Sequence, residues 1–290
     1  MPRDIEQGFE DFHNKIKARV SETAAAKSHR ASIETRLKSD FGLKRFTRIG
    51  SFGNGTNVSG YSDVDYLACL PTASLKESST YSLTVVKNAL ASRFPNTGVK
   101  IDTPAVVCPF GRYKSEDTEV VVADYVMESD GFKVYEIADG NGGWMQVCPD
   151  AHNYYVSEVN KKHGGKVKPL IRFIKAWKYY RNVPIQSFYI EMRVAKYADG
   201  EQCIIYDEDV MRVMAMLREN ELAPMRDPMG MSGNIYPCKT DALKRDALSK
   251  LNIAATRSEK ARAAESNGDT KLAFDWWRLV YNEKFPTYYL

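Results

Sequence analysis

Two aspartates stand one residue apart in Ser62-Asp63-Val64-Asp65-Tyr66-Leu67, shortly after the glycine-rich stretch Gly50-Ser51-Phe52-Gly53-Asn54-Gly55-Thr56. A β-strand sends residues i and i+2 to one face. Asp63 and Asp65 therefore share a face, and Val64 and Tyr66 take the other. The run that follows, Leu67-Ala68-Cys69-Leu70, is apolar, so the strand is buried on at least one side. Two like charges at that spacing are costly to bury unless a cation compensates them. Mg²⁺ suits such a place, because it takes a few carboxylates together with substrate phosphate oxygens. Gly50, Gly53 and Gly55 allow positive φ and a close approach of backbone N–H groups to phosphate, and Ser51 adds a hydroxyl donor. The chemistry implied is nucleotidyl transfer with two Mg²⁺ ions, Mn²⁺ being the alternative ion. The stretch is not a P-loop, since no Gly-Lys-Ser/Thr follows, and no GxGxxG opens a helix here.

A two-metal site usually has a third carboxylate on a neighbouring strand. Thr118-Glu119-Val120-Val121-Val122-Ala123-Asp124 offers Glu119 and Asp124. An odd separation on a regular strand puts them on opposite faces, so only one can join Asp63 and Asp65. Glu119, which enters the apolar run, is the preferred third acid, and Asp124 is the alternative.

These residues need a scaffold, and the rest of the chain supplies one. At 290 residues it is long enough for two domains or one domain with a cleft. A net charge of +4 from 41 basic and 37 acidic residues suits local handling of phosphates and argues against a nucleic-acid coat. The five cysteines and four histidines are scattered without metal-ligand spacing, which points to free thiols in a reducing cytosol. No apolar run reaches the roughly 18 residues of a membrane span, and residues 1–6 carry no signal-peptide core. Both point to a cytoplasmic protein.

Ile5, Phe9, Phe12, Ile16 and Val20 recur at helical spacing, predicting one or two helices over 4–40. Strands are predicted at 43–49, 63–70, 99–107, 118–127 and 132–137, with a helix at 83–94. Asn160-Lys161-Lys162-His163-Gly164-Gly165-Lys166 marks a hinge. Helices follow at 167–182, 187–198, 207–220, 239–265 and 269–282. Strands crowd the first half and helices the second, the pattern of an α+β domain followed by a helical one. The expected division is a catalytic domain at 1–160, including the N-terminal helix, and a helical nucleotide-binding domain at 161–290, with a cleft between two lobes. The Met-rich segment Pro224-Met225-Arg226-Asp227-Pro228-Met229-Gly230-Met231 is a loop that reads as core filler or interface.

Gly-Ser, a short spacer, Gly-Thr and then Asp-Val-Asp resemble the nucleotidyltransferase superfamily of DNA polymerase β. Further stretches narrow the resemblance: Glu136-Ile137-Ala138-Asp139-Gly140-Asn141-Gly142-Gly143-Trp144, Lys168-Pro169-Leu170-Ile171-Arg172-Phe173-Ile174-Lys175-Ala176-Trp177-Lys178, and Gln186-Ser187-Phe188-Tyr189-Ile190-Glu191. With these the chain is similar to the bacterial CD-NTases, relatives of animal cyclic GMP-AMP synthase and oligoadenylate synthase, from about residue 40 onward.

The resemblance implies a polymerase β-like fold, a mixed sheet with a helical C-terminal lobe. It implies that Asp63, Asp65 and Glu119 hold two Mg²⁺ ions, and that Gly50, Ser51, Lys175 and Ser187 hold a donor triphosphate. Lys175 lies on a predicted basic stripe with Lys168 and Arg172, beside the apolar face of its helix. Phe188, next to Ser187, reads as a ring that stacks on a base or as a core aromatic. The implied activity joins nucleoside triphosphates into a cyclic di- or trinucleotide that acts through an effector protein in antiphage signalling, without an obligatory nucleic-acid activator and without a membrane. Other readings are nucleotidyl transfer to a tRNA, protein or small-molecule acceptor, and a silent nucleotide-binding scaffold.

Overall fold

The computed structural model of the chain describes residues 3–17, 24–61, 63–111 and 116–289. Val20, at the end of the predicted N-terminal stripe, and Ser62, ahead of the aspartate pair, lie outside them. The chain divides into two units. One holds residues 19–55 and 62–153, and the other holds 1–18, 56–61 and 154–290.

Helix α1 (Ile5–Ile16) belongs to the second, helical unit. The sheet unit contains α2 (Ala24–Phe41), β1 (Arg45–Arg48), the one-turn helix α3 (Gly50–Asn54), β2 (Val64–Leu70), a 3₁₀ turn at Thr72–Ser74, α4 (Ser79–Arg93), β3 (Lys100–Asp102), β4 (Ala105–Phe110), β5 (Glu116–Ser129), β6 (Phe132–Ala138) and β7 (Trp144–Val147). β2 and β5 run parallel at its centre, and the order is β1-β2-β5-β4-β3, with β6 on the far half of β5 and β7 beside it. This mixed sheet is of the expected α+β class. From Tyr66 to Leu70 every residue of β2 is buried, as expected for a strand covered on both faces. One face, with Ala68, Leu70, Val106, Val120 and Val122, packs on Ile33 and Leu37 of α2 and on Leu83, Val86 and Leu90 of α4. The opposite face carries Leu67, Cys69, Val121 and Ala123. By the same alternation Asp65 and Glu119 stand on this second face.

Two predicted elements change their limits for local reasons. The helix predicted at 83–94 begins earlier, at Ser79, because the Ser78 hydroxyl accepts the Tyr81 amide and caps it. The strand predicted at 99–107 is two strands, β3 and β4, which pair antiparallel across Thr103-Pro104.

The helical unit adds α5 (Pro149–Lys162), α6 (Val167–Tyr180), α7 (Ser187–Asp199), α8 (Tyr206–Glu219), the short strands β8 (Met225–Arg226) and β9 (Asn234–Ile235), α9 (Asp241–Ser266) and α10 (Thr270–Val280). Its core is aromatic. Phe9 meets Phe173 and Trp277 edge-on, each with ring centroids 5.0 Å apart, and Phe12 lies 4.5 Å from Tyr281 and 5.2 Å from Phe285. The N-terminal helix, expected with residues up to 160, clusters in this structure with the helices, its apolar stripe packed on these late aromatics. The boundary at 160 falls inside α5, most of which clusters with the helices. Among the described residues no helix is long and apolar enough to cross a membrane.

Beside this core, Arg172 approaches the His13 imidazole with Nη1 at 3.1 Å from Nε2. The guanidinium must donate, so that ring nitrogen must be unprotonated. Burial, and then the charges of Arg172 and Lys17, lower the pKa of His13 to about 4. A base whose pKa is lowered in the folded state stabilises the fold above its unfolded pKa, here 6.5, and that contribution is lost as pH falls. Urea denaturation should show stability declining between about pH 6.5 and 4. In His13→Gln, which still accepts a hydrogen bond, that slope should be shallower.

Candidate active site

The glycine-rich stretch folds as a helical turn, α3, rather than an open loop. Gly50 enters it at φ +58° and Gly55 leaves it at φ +67°, conformations that residues with a Cβ rarely adopt. Gly50 also meets a steric limit, since a Cβ there would lie 2.1 Å from Oδ2 of Asp65. The turn and the aspartate are thus packed backbone against carboxylate, and the Ile49 amide donates to the Asp65 carbonyl at 3.0 Å. Gly53 has a different role, as a Cβ on it would lie 2.9 Å from the Arg48 carbonyl oxygen. Ser51 stands half-buried in the first turn of α3.

The parallel pairing of β2 and β5 sets Asp65 directly opposite Glu119. The Asp65 side chain acts to lower the Glu119 pKa, but it is not the largest influence. Burial pushes the Glu119 carboxyl above its ordinary range, and the charges of Asp63, Asp102 and Asp117 push it the same way. Asp63 lies exposed at the entrance to β2. Asp124 is elsewhere, paired with Leu70 near the other end of β2 and accepting from the Thr72 hydroxyl at 2.9 Å. Of the two candidates for a third acid, Glu119 is the one beside Asp65.

Sequence reasoning misses Asp117, although it precedes Glu119 by one strand repeat and faces the same way. One of its carboxylate oxygens is buried without a hydrogen-bond partner among the described residues. Such an orphaned oxygen, with a raised carboxyl beside it, is the environment a divalent cation relieves, and the oxygen-only donor set suits Mg²⁺. Among the described residues no three His, Cys, Asp or Glu side chains are grouped so that they could hold a metal ion by themselves.

In the helical unit the predicted basic stripe on α6 is used internally. Arg172 donates from Nε to the Asn57 carbonyl at 3.2 Å, and Lys168 donates to Ser157 Oγ at 3.3 Å. Lys175 is 0 % exposed, with Nζ 2.7 Å from Oε1 of Glu191. The same carboxylate oxygen accepts the Thr56 hydroxyl at 2.6 Å. α6 is buried from Val167 to Trp177 apart from Lys168, and Arg172 and Lys175, the lysine expected at a triphosphate, are engaged inside the unit. The next lysine, Lys178, is half-buried, and its Nζ reaches Ser187 Oγ at 2.7 Å. The Tyr179 hydroxyl lies 3.2 Å from the same oxygen, and the Lys178 ammonium lies 4.5 Å from the Tyr179 ring centroid. Phe188 follows with 39 % of its surface exposed. Tyr61, just ahead of the aspartate pair in sequence, stacks on Tyr179 with centroids 5.3 Å apart.

Set beside known proteins, residues 4–160 match the Second Messenger Oligonucleotide or Dinucleotide Synthetase domain. The chain belongs to that family. It is a bacterial CD-NTase with the polymerase β-like nucleotidyltransferase fold. A probable cyclic nucleotide synthase of Bacillus cereus strain VD146 is 28% identical over 168 residues, covering 54% of this chain and 48% of that protein. A cyclic AMP-AMP-AMP synthase of Acinetobacter sp. is 27% identical over 171 residues, again 54% of this chain and 48% of that protein. The match thus spans about half the length of these curated relatives. CdnC of Escherichia coli MS115-1, solved with ATP, superposes with a TM-score of 0.76 at 20% identity over 98% of this chain and 99% of that one.

The raised Glu119 pKa has a measurable consequence. An acid whose pKa is raised by folding stabilises the fold at low pH and loses that contribution as pH rises through the folded value. With chelator present, the melting temperature should fall as pH is raised above the ordinary carboxyl value of 4.5, and Glu119→Gln should flatten the fall. Mg²⁺ should raise the melting temperature of the wild type at pH 8 more than at pH 5. Lys175→Met leaves Glu191 buried without its counter-charge and should cost about 3–5 kcal/mol in denaturant unfolding.

Proposed function

We propose that this chain is a divalent-cation-dependent nucleotidyltransferase that condenses nucleoside triphosphates into a cyclic di- or trinucleotide second messenger. What supports the reading is the pairing of Asp65 with Glu119 beside the Gly50 turn, with Asp63 one strand repeat ahead of Asp65, in a chain of the synthetase family. Asp63, Asp65 and Glu119 would hold two Mg²⁺ ions, or Mn²⁺. Bound ions would supply the positive charge that lowers the pKa of an acceptor ribose hydroxyl and balances departing pyrophosphate. The hydroxyl oxygen forms a bond to the α-phosphorus, the bond from that phosphorus to pyrophosphate breaks, and the hydroxyl proton passes to solvent.

The protein's own part is positioning and charge. The α3 backbone and Ser51 cradle phosphate oxygens. Lys178, three residues on from the lysine first expected there, Lys175, offers a cation to the triphosphate, and Ser187 offers a hydroxyl. Phe188 stacks on the base. Lys175 fixes Glu191 and Thr56, and so anchors the chain where it leaves the glycine turn. Ring closure is supported by the relatives, named as cyclic nucleotide synthases. On this reading the product signals to an effector protein within the cytoplasm during phage infection, and no nucleic-acid activator is required.

The test is incubation with all four nucleoside triphosphates and Mg²⁺, followed by mass spectrometry of phosphatase-resistant products and a pyrophosphate assay. Asp63→Ala with Asp65→Ala should lower pyrophosphate release by at least about 100-fold with the fold retained. Wild-type rates in that double variant would remove the mechanism. Lys178→Ala should raise KM about tenfold with a smaller change in kcat.

A further inference from the structure

The Met-rich segment is neither loose nor merely filler. It is the loop of a hairpin in which β8 pairs antiparallel with β9, Met225 opposite Ile235 and Arg226 opposite Asn234. Met225 and Ile235 are buried, while Arg226 and Asn234 are exposed. Residues directly opposite in such a pair share a face. Alternation carries Tyr236 to the side of Asn234, where it is 57 % exposed, and Pro237 beyond it is buried. One outward face thus holds a guanidinium, a carboxamide and a phenol ring.

That face is held firmly. The Asp227 carboxylate is buried and accepts from the Met229 amide at 3.0 Å, the Met231 amide at 3.0 Å, and the Ser232 amide and hydroxyl at 2.8 and 2.9 Å. The root is fixed on α7, where the Tyr189 hydroxyl and Arg193 both donate to the Ala223 carbonyl, at 2.8 and 2.6 Å. At the exit the Gln186 amide donates to the Pro237 carbonyl at 2.7 Å. Gln186 is the residue before Ser187 and Phe188, so the hairpin abuts the helix start where Lys178 meets Ser187.

We propose that the Arg226, Asn234 and Tyr236 face reads the base of the bound nucleoside triphosphate and selects purines. The proposal rests on the reading that Lys178 and Ser187 hold that nucleotide's phosphates. Arginine makes a two-point contact with guanine O6 and N7, and asparagine does so with adenine N6 and N7. Pyrimidines lack that imidazole edge. The tyrosine ring stacks on a base of either kind.

The test uses the full chain, Mg²⁺ and an equimolar mixture of the four nucleoside triphosphates, with product base composition read by mass spectrometry. Binding of each triphosphate, with Ca²⁺ replacing Mg²⁺, is measured in parallel by isothermal titration, so that selectivity is read even without turnover. The wild type should take ATP and GTP over CTP and UTP. Asn234→Ala and Arg226→Ala should each change the adenine-to-guanine ratio about tenfold, in opposite directions. Tyr236→Ala should weaken all four with the ratio unchanged. Lys178→Ala should weaken all four likewise, which checks the underlying reading separately. If Lys178→Ala weakens binding while Asn234→Ala and Arg226→Ala keep the wild-type ratio, the hairpin is not the reader. Equal affinity of the wild type for ATP and UTP would overturn the purine assignment.

Discussion

Two parallel strands that place Asp65 opposite Glu119 create an electrostatic conflict at the centre of the sheet unit. Neighbouring parallel strands lie about 4.8 Å apart, too close for two bare carboxylates in a partly dry setting. Burial, with the charges of Asp63, Asp102 and Asp117, accordingly raises the Glu119 pKa. Much else follows from this crowding. The glycine at position 50 is required because nothing larger fits against Asp65. The acids stand on the sheet face away from α2 and α4. A cation is the natural compensation for this crowding, and whatever carries phosphates to that cation must approach from the same face.

The helical unit solves a different electrostatic problem. Lys175 is an ammonium with no solvent exposure, matched to Glu191, which also receives the Thr56 hydroxyl. A buried ion pair is a poor source of net stability, because desolvation offsets its attraction. It is a good source of positional definition, since a shift of either helix leaves a charge unpaired and a shift of Thr56 loses a hydrogen bond to the same carboxylate. Thr56 directly follows Gly55, where the chain leaves the glycine turn, and Asn57 is held by Arg172 in the same way. Residues 56–61 therefore cluster with the helices, although both of their sequence neighbours belong to the sheet.

What is legible in the sequence is what depends on a period of two or on a backbone that needs glycine. Strand alternation marks Asp63, Asp65 and Glu119, and residue type marks Gly50. Asp117 obeys the same alternation with Glu119, so the signal that would find it is the same one. The lysine is harder. Lys175 and Lys178 lie three residues apart on one helix, and an amphipathic pattern gives the axis of burial but not how far around the helix burial extends. Here it extends almost all the way, which leaves the later lysine nearer the surface. Tyr61 and the hairpin face of Arg226, Asn234 and Tyr236 depend on contacts between distant segments, and no local pattern announces them.

The place of α1 bears on how the protein is made. Phe9 and Phe12 leave the ribosome long before several of their partners, Trp277, Tyr281 and Phe285. Closing that aromatic cluster must wait until more than 250 residues of chain separate the two groups, as their numbering requires. The sheet between residues 45 and 147 has its strands available much sooner. Through that interval the nascent α1 carries a bare apolar stripe, the kind of surface that chaperones bind.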